Sequence, residues 1–274
     1  MIAFPCCKIN LGIHVINKRE DGFHNLETIF YPVHWCDMLE IVVDNESSKG
    51  EVKFISDGLT IEGNTENNLV IKAYNLFHQV YDLPAVKVFL FKKIPMGAGL
   101  GGGSSDAAYT LLLLNDLFSL QLTTIELEKY AAQLGSDCAY FIKRGVQLAK
   151  GRGELLEPIE LDLKSYFLCL IKPDIHVSTA QAFSGVKKRG DLVTSLNELI
   201  RLPMNDWRNV IQNDFEESVF KIYPELASIK NNLYDMGSKY AAMSGSGSTI
   251  LGLFEVLPDL SNMKKTYTVF TCEL

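Results

Sequence analysis

No part of the sequence is apolar for long enough to span a membrane; the longest apolar run, near Leu111–Leu114, is far too short. The first residues lack the basic start and long apolar core of a secretory signal, so we expect no signal peptide. No block of Lys and Arg is longer than Lys187-Lys188-Arg189, and the net charge is -7. We therefore expect a cytoplasmic protein that binds neither membranes nor nucleic acid.

Paired cysteines are also missing, because none of the six cysteines stands in a Cys-x-x-Cys motif. Most of them lie in apolar runs, which predicts buried thiols in a reducing compartment. With 274 residues, 47% of them hydrophobic, the chain can bury a substantial core as one large or two modest domains.

Glycine, by contrast, is concentrated in one loop: five of the seven residues from Gly97 to Gly103 are glycine. Ser104, Ser105 and Asp106 are good N-cap types and an apolar run follows, which predicts a helix directly after the loop. A helix N-terminus with exposed N–H groups attracts phosphates. We interpret the stretch as a phosphate cradle; the alternatives are a flexible linker and a glycine loop that serves packing alone.

Two well-known nucleotide loops do not fit this stretch. A Walker loop needs Lys and then Ser or Thr after its last glycine, where this chain has Ser104-Ser105. A Rossmann loop needs a second strand that ends in an acidic residue about 20 positions later. Residues 116–122 instead belong to the predicted helix and the turn after it. A phosphate here would be bound by a different class of loop.

Elsewhere the pattern predicts short alternating elements. Residues Cys6–Ile16 alternate as a half-buried strand that places Lys8 and Asn10 on one face, where a solvated lysine is the simpler interpretation. Asp137 precedes an apolar patch, which favours a helix cap over a catalytic carboxylate. Thr123 and Glu126 form a capping-box pattern, and one helix is predicted over Trp207–Tyr223.

Three stretches together carry a family resemblance: Lys8-Ile9-Asn10-Leu11, the glycine loop from Pro95 to Ser105, and Ser244-Gly245-Ser246-Gly247-Ser248. In this order, and with Gly22-Phe23-His24, they resemble the GHMP kinase superfamily. The resemblance implies an α+β protein with the two-domain GHMP kinase fold. An N-terminal ATP-binding α/β domain would span residues 1–155, and a C-terminal substrate-side α/β domain residues 156–274.

The resemblance also implies an activity: ATP-dependent phosphorylation of a hydroxyl on the erythritol part of a cytidyl diphosphate substrate, in non-mevalonate isoprenoid biosynthesis. Lys8 and Asp137 match the active-site lysine and the catalytic aspartate, which reverses the simpler interpretation of both residues. Asn68 and Lys92 match positions near the adenine of ATP. The phosphate loop would comprise Pro95, Met96, Gly97, Ala98, Gly99, Leu100, Gly101, Gly102, Gly103, Ser104 and Ser105.

For the acceptor, the same matching assigns Asn10 and His24 to substrate contacts, with Thr179 nearby. Phe23 and Phe183 would sandwich the cytosine ring. The chain departs from the family twice. Phe23 stands where Tyr is common, and Ala139 stands where a proline usually follows the aspartate by two residues, which leaves the backbone near Asp137 less constrained.

Mg²⁺ is expected together with ATP. No carboxylate pair has the spacing of a metal site, so the metal ligands stay unassigned; the hydroxyls of Ser104 and Ser105 are the nearest candidates for phosphate or Mg²⁺ contacts. We expect a monomer or a weak homodimer. The rival hypotheses are a homoserine or mevalonate kinase, for which the pocket of Phe23, His24 and Phe183 would be superfluous, and a catalytically silent nucleotide-binding module, which should lack Lys8 or Asp137.

Overall fold

A computed structural model describes residues 1–61, 63–190 and 194–274. Within these ranges the strands are β1 (Ile2–Ala3), β2 (Cys6–Lys18), β3 (His24–Cys36), β4 (Met38–Val43), β5 (Val52–Gly58), β6 (Val86–Lys92), β7 (Gln147–Gly151), β8 (Leu155–Pro158), β9 (Phe167–Lys172), β10 (Tyr240–Met243), β11 (Ile250–Phe254) and β12 (Thr268–Glu273). The α-helices are α1 (Leu69–Tyr81), α2 (Gly102–Leu117), α3 (Thr124–Leu134), α4 (Cys138–Lys143), α5 (Thr179–Ser184), α6 (Leu196–Leu199), α7 (Met204–Val210), α8 (Glu216–Ile222) and α9 (Pro224–Asp235).

The chain divides into two compact units. The first unit comprises residues 1–7, 34–96 and 101–144. Its sheet has the strand order β1-β4-β6-β5, in which β5 runs parallel to β6 and the other pairs are antiparallel. Helices α1 and α2 pack on each other, and α2 also contacts β4, α3 and α4. The apolar residues Leu39, Ile41, Val88 and Leu90 of the sheet are buried and form its core with this helical layer.

The second unit comprises residues 8–33, 97–100 and 145–274. It holds two four-stranded sheets, of order β2-β3-β7-β8 and β10-β11-β9-β12. In the latter sheet Ile171 of β9 lies opposite both Ile250 of β11 and Val269 of β12. Helices α8 and α9 contribute Val219, Leu226 and Ile229 to a buried cluster with this sheet.

The units therefore do not follow a single cut near residue 155. Strand β3 pairs with β7 from Leu26↔Gly151 to Phe30↔Gln147, so a segment early in the chain belongs with the C-terminal one. The chain passes between the units within β2 and β3, at the two ends of the segment 97–100 of the glycine loop, and in the short connection from α4 to β7. No α-helix in the described ranges is both long and apolar enough to cross a lipid bilayer.

Local sequence signals were of mixed reliability. A strand over Cys6–Ile16 is confirmed as β2, but it is not half-buried, because both of its faces are buried from Cys7 to Val15. The Thr123/Glu126 capping box is confirmed at the start of α3. The single helix over Trp207–Tyr223 is wrong: α7 ends at Val210 and α8 begins at Glu216. Asn213, between them, donates from its amide to the carbonyl oxygens of Met243 and Gly245, and this tertiary contact holds the break.

The prediction of six reduced cysteines is also wrong. Cys6 and Cys36 form a disulfide, with their Cα atoms 3.9 Å apart. The other four cysteines are thiols, buried at Cys7, Cys138 and Cys169 and half-buried at Cys272. The paired cysteines lie 30 residues apart on the neighbouring strands β2 and β3, so only the strand pairing brings their sulfur atoms together.

Candidate active site

The glycine loop connects β6 to α2, as predicted, and its backbone requires glycine at specific positions. Gly97, Gly99 and Gly101 all have positive φ, at 58°, 75° and 69°. A Cβ on Gly99 would lie only 2.0 Å from the carbonyl oxygen of Ser244. Gly101 is the N-cap of α2, so the helix begins at Gly102 and not after the Ser104–Asp106 cluster that the sequence suggested. Because α2 begins inside the glycine loop, the unpaired backbone N–H groups of its first turn are those of the last residues of the loop.

In the second unit the three predicted motifs meet through hydrogen bonds. The hydroxyl of Ser244 donates to the carbonyl oxygen of Gly99 at 2.8 Å and accepts from the backbone N–H of Asn10 at 3.2 Å. The N–H of Thr249 donates to the carbonyl of Ala98 at 3.3 Å, and the N–H of Lys8 to that of Leu100 at 3.0 Å. These bonds hold the loop in one conformation, so it is not a flexible linker.

Lys8 is not the solvated strand lysine that local pattern favoured, because only 3% of it is exposed. Its Nζ donates to Oδ1 of Asn10 at 2.6 Å and lies 4.8 Å from the centre of the Phe30 ring. Nδ2 of Asn10 in turn donates to the hydroxyl of Thr28 at 2.9 Å. The Asn10 side chain, predicted to contact substrate, thus orients Lys8 in this structure. Sequence reasoning missed Thr28 and Phe30, since strand alternation alone does not show which strand lies beside β2.

Asp137 stands at the N-cap position of α4, but its side chain makes no capping hydrogen bond. The predicted N-cap position is therefore confirmed, but the carboxylate does not cap the helix by a hydrogen bond. Burial raises the pKa of the thiol of the next residue, Cys138, to about 12, and the nearby side chain of Ser104 opposes this shift. Helix α4 also contacts α2 within the first unit.

The two serines that end the loop differ in their surroundings. The hydroxyl of Ser105 is buried and donates to the carbonyl oxygen of Cys6 at 2.7 Å, so it has a structural partner. Ser104 is half-buried on the first turn of α2. Of the two hydroxyls considered for phosphate or Mg²⁺, Ser104 is the one with accessible surface.

Lys92 does not lie at an open nucleotide surface. Its side chain is fully buried, and Nζ is paired with the carboxylates of Asp37 and Asp106, the latter at 2.7 Å. Burial opposes the charge on the ammonium group, but the two carboxylates outweigh it and raise the pKa of Lys92. Burial also raises the pKa of Asp106, against the opposing effect of Lys92. The Lys92 side chain thus has no exposed surface in this structure, and its predicted position near adenine stays a prediction.

Lys92 instead supports the start of α2 from below. Its Nζ lies 3.0 Å from where a Cβ on Gly102 would be. Asp37 also accepts the backbone N–H groups of Lys93, at 2.5 Å, and of Ile94, at 2.8 Å. The buried trio of Lys92, Asp37 and Asp106 thereby fixes both the end of β6 and the helix that follows the loop.

A cavity of about 320 Å³ opens beside this trio in the first unit. It is lined by three residues predicted to bind ATP, Asn68, Met96 and Gly103, together with apolar residues such as Phe54 and Leu90. The side chain of Asn68 accepts the N–H of Val70 at 2.9 Å and caps α1, so its oxygen already has a partner. Concave sites lined by apolar residues and a few polar groups are typical of small-molecule binding sites, and this cavity has both kinds of lining.

The aromatic residues predicted for the acceptor lie in the second unit but are paired differently. Phe183 stacks on His24, with ring centres 4.7 Å apart and planes inclined by 18°. Phe23 is 54% exposed and lies beneath the guanidinium of Arg152, 5.0 Å from its ring centre. The ring that stacks on Phe183 here is His24, and the sandwich of cytosine between Phe23 and Phe183 stays a prediction. Thr179 is exposed as the first residue of α5, the helix that carries Phe183.

His24 is bordered by positive charge. Burial, followed by the neighbouring Lys18 and Lys188, lowers the pKa of its imidazole. Neither lysine was singled out from the sequence, because they lie 170 positions apart (188 − 18) and only the fold brings both near one ring. Together with Arg152 they make the aromatic surface cationic, which suits an anionic ligand that carries a flat base.

Comparison with known proteins identifies the class of this chain. The family model "GHMP kinases N terminal domain" matches residues 68–145, and "GHMP kinases C terminal" matches residues 190–267. The chain belongs to the GHMP kinases and has their two-domain fold of mixed helices and sheets.

Among individual relatives, a protein of Bacteroides fragilis named 4-diphosphocytidyl-2-C-methyl-D-erythritol kinase is 51% identical over 265 residues, which cover 96% of this chain and 95% of the relative. A crystal structure of 4-(cytidine 5'-diphospho)-2C-methyl-D-erythritol kinase superposes with a TM-score of 0.83 at 28% identity, over 99% of this chain and 98% of that one. A crystal structure of mevalonate kinase superposes with a TM-score of 0.74 over 100% and 98% of the two chains, but at 14% identity it supports the fold alone.

Proposed function

We propose that this chain transfers the γ-phosphoryl group of ATP to a hydroxyl of 4-diphosphocytidyl-2-C-methyl-D-erythritol, forming the 2-phosphate and ADP in non-mevalonate isoprenoid precursor biosynthesis. The observation that carries the proposal is the 51% identity to a relative of that name over nearly the whole of both chains. The presence of Lys8 and Asp137 argues against a catalytically silent module.

The glycine loop and the first turn of α2 bind the phosphates of ATP. Its N–H groups and the helix dipole attract anions, and the buried trio of Lys92, Asp37 and Asp106 holds the start of α2 in place. The cavity lined by Asn68 and Met96 receives the adenine ring. Gly99 and Gly101 have positive φ, which favours glycine, and because glycine has no side chain the phosphates can approach the backbone closely there.

Mg²⁺ fits the oxygen donors of this region. The accessible hydroxyl of Ser104, on the first turn of α2, would hold it together with phosphate oxygens and water. Its chemistry when bound is to neutralise charge on the phosphates of ATP.

Transfer breaks the bond between the γ-phosphorus and the β,γ-bridging oxygen and forms a bond from the acceptor oxygen to that phosphorus. Asp137 accepts the proton of the acceptor hydroxyl, which leaves ADP as the second product. Lys8 supplies a positive charge that favours the ionised carboxylate and the developing alkoxide. Asn10 holds the Lys8 ammonium in place through the 2.6 Å hydrogen bond.

The acceptor is bound through its base and its diphosphate. The cytosine ring stacks on the aromatic surface of Phe23, His24 and Phe183, near Thr179, and the cations around His24 attract the diphosphate. Because His24 already covers one face of Phe183, substrate must either displace the imidazole or stack on its outer face. We place the reaction in the cytoplasm and expect a monomer or weak homodimer that binds no nucleic acid.

The test is to incubate the protein with ATP, Mg²⁺ and the cytidyl substrate and to follow ADP release. We expect ADP and one new phosphomonoester in equal amounts, and no turnover with homoserine or mevalonate. Turnover of either of these without turnover of the cytidyl substrate would contradict the assignment.

The matched variant is Asp137→Asn, which has nearly the same shape but no base. Turnover should fall by about 10²–10⁴-fold, the usual contribution of a positioned general base. ATP binding, measured by calorimetry, should stay within about twofold because the loop is unaltered. Loss of ATP binding in this variant would mean that Asp137 serves the nucleotide site or the fold instead.

A further inference from the structure

A cluster of soft donor atoms lies within the first unit, outside the machinery proposed for catalysis. Cys6 begins β2, and His34 and Cys36 lie at the end of the neighbouring strand β3. One donor atom from each residue lies within 4.8 Å of the other two. Since side chains alternate along a strand, His34 and Cys36 project from the same face, and Cys6 completes the group from the adjacent strand.

The cluster contains one donor residue more than a disulfide requires. A disulfide uses two sulfur atoms, yet the imidazole of His34 lies against both of them and has no hydrogen bond or ion pair with another side chain in the described ranges. Two thiolates and an imidazole form a ligand set typical of Zn²⁺, in which bonds of about 2.0–2.3 Å place the donors roughly 3.5–3.8 Å apart. Once the S–S bond is reduced, three donors that lie within 4.8 Å of one another are close to that spacing.

Access and support are both present. His34 is exposed, and Cys6 and Cys36 are half-buried, so an ion can enter from solvent. The backbone at both cysteines is fixed: the carbonyl of Cys6 accepts the Ser105 hydroxyl at 2.7 Å, and the N–H of Asp37, next to Cys36, donates to the carbonyl of Pro5 at 2.9 Å. Ligands carried by such fixed strands are organised before the metal binds.

We propose that the reduced protein binds one Zn²⁺ through Cys6, His34 and Cys36, with water in the fourth position, and that the disulfide form binds none. Reduction by a dithiol or phosphine adds two electrons and two protons to the disulfide and yields two thiols. Binding of Zn²⁺ then displaces both thiol protons to solvent as the two Zn–S bonds form. The oxidised pair has no thiolate to offer, so the two states of the cluster exclude each other.

The experiment measures zinc bound to the full chain after removal of metal, in the phosphine-reduced and the oxidised protein, by competition with a chromogenic chelator and by elemental analysis. We expect one equivalent in the reduced protein and none in the oxidised protein. Substitution by Co²⁺ should produce visible ligand-field bands and a thiolate charge-transfer band in the reduced protein only. Equal zinc uptake by the two forms, or none by the reduced form, would overturn the proposal.

Three variants make the assignment specific. His34→Ala, at an exposed position, should fold normally and weaken zinc binding by at least about 10–100-fold, the loss that even an outer-shell partner causes. Cys6→Ser with Cys36→Ser should abolish binding, whereas Cys272→Ser, which removes a half-buried thiol elsewhere, should keep one equivalent. Unchanged affinity in His34→Ala, or loss of the ion in Cys272→Ser, would contradict the site. Because the readout is metal content, the result does not depend on the kinase assignment.

Discussion

Two buried lysines, one in each unit, show how the same side chain can be stabilised in different ways. Lys92 is enclosed with two carboxylates, Asp37 and Asp106, and its charge is neutralised inside the fold. Lys8 is equally buried, but in its own unit its ammonium is held by the neutral amide of Asn10 and the ring of Phe30.

The difference indicates what each lysine does. A buried cation that is matched by anions supports structure, and its loss leaves buried charges uncompensated. Lys8 instead lies on the strand whose backbone bonds the glycine loop at Leu100, so its charge belongs to the site proposed for phosphoryl transfer. We therefore expect substitution of Lys92 to affect folding first, and substitution of Lys8 to affect turnover first.

The largest effect on stability should come from Lys92→Met. Removal of the ammonium leaves two carboxylates buried together, which should lower the free energy of unfolding by about 3–5 kcal/mol. Urea unfolding followed by circular dichroism measures this loss. Lys93→Met, at the exposed neighbouring position, is the control and should change stability by less than about 0.5 kcal/mol. Similar values for the two variants would refute the supporting role of Lys92.

Lys8→Met should lower turnover strongly and stability only slightly, the reverse of what we expect for Lys92→Met. We expect turnover to fall by about 10²–10³-fold, as when one electrostatic group of an active site is removed. Stability should fall by only about 1–2 kcal/mol, for the unpaired oxygen of Asn10. Asn10→Ala should lower turnover less than Lys8→Met, since it only frees the ammonium. If the Lys8→Met protein unfolds readily while its folded fraction keeps full activity, Lys8 has a structural role like that of Lys92.

A third buried group is His14, whose imidazole nitrogens both lack a hydrogen-bond partner among residues 1–61, 63–190 and 194–274. Burial, with a smaller effect of Arg189 opposed by Asp214, lowers the pKa of His14 to about 4. Between pH 6.5 and 4 the unfolded chain binds the proton more readily than the folded one. Stability due to neutral His14 is therefore complete above pH 6.5 and is lost as the pH falls to 4.

The free energy at stake for His14 is about 3–3.5 kcal/mol over the full shift from 6.5 to about 4, at 1.36 kcal/mol per pKa unit. The measurement is the free energy of unfolding in urea at pH 7 and pH 4.5, for wild type and for His14→Leu. The loss between the two pH values is compared between the proteins, because the contribution of carboxylates present in both then cancels. A smaller acid loss in the variant is expected. Parallel pH profiles for the two proteins would show that His14 is not buried in neutral form.

The smallest effect should distinguish the two carboxylates on Lys92. Asp106→Asn removes a group whose pKa burial already raises, and stability should change by about 1 kcal/mol or less. Asp37→Asn should cost more, about 2–3 kcal/mol, since Asp37 also accepts two backbone N–H groups as a carboxylate. Equal losses in chemical unfolding would mean that the backbone contacts of Asp37 contribute little.

Some features of this protein follow from local chemistry and were predictable. The position of the glycine loop after a strand and before a helix, the capping box of α3 and the alternating strand β2 each depend on residues close together in the chain. The break between α7 and α8 was not predictable in this way, because Asn213 makes it by binding carbonyl groups some 30 residues away.

For the candidate site, residue types alone selected the glycine loop and excluded the Walker and Rossmann classes. Lys8 and Asp137 were selected only by the resemblance to the GHMP kinases, because local pattern favoured a solvated lysine and a helix cap. Tertiary structure decided which partner each side chain has. In the fold, Lys92 is paired with two carboxylates, His24 stacks on Phe183, and Cys6 is bonded to Cys36. The physical reason is that hydrogen bonds, ion pairs and stacking act over a few ångströms in space, and neither residue type nor spacing along the chain determines which groups come that close.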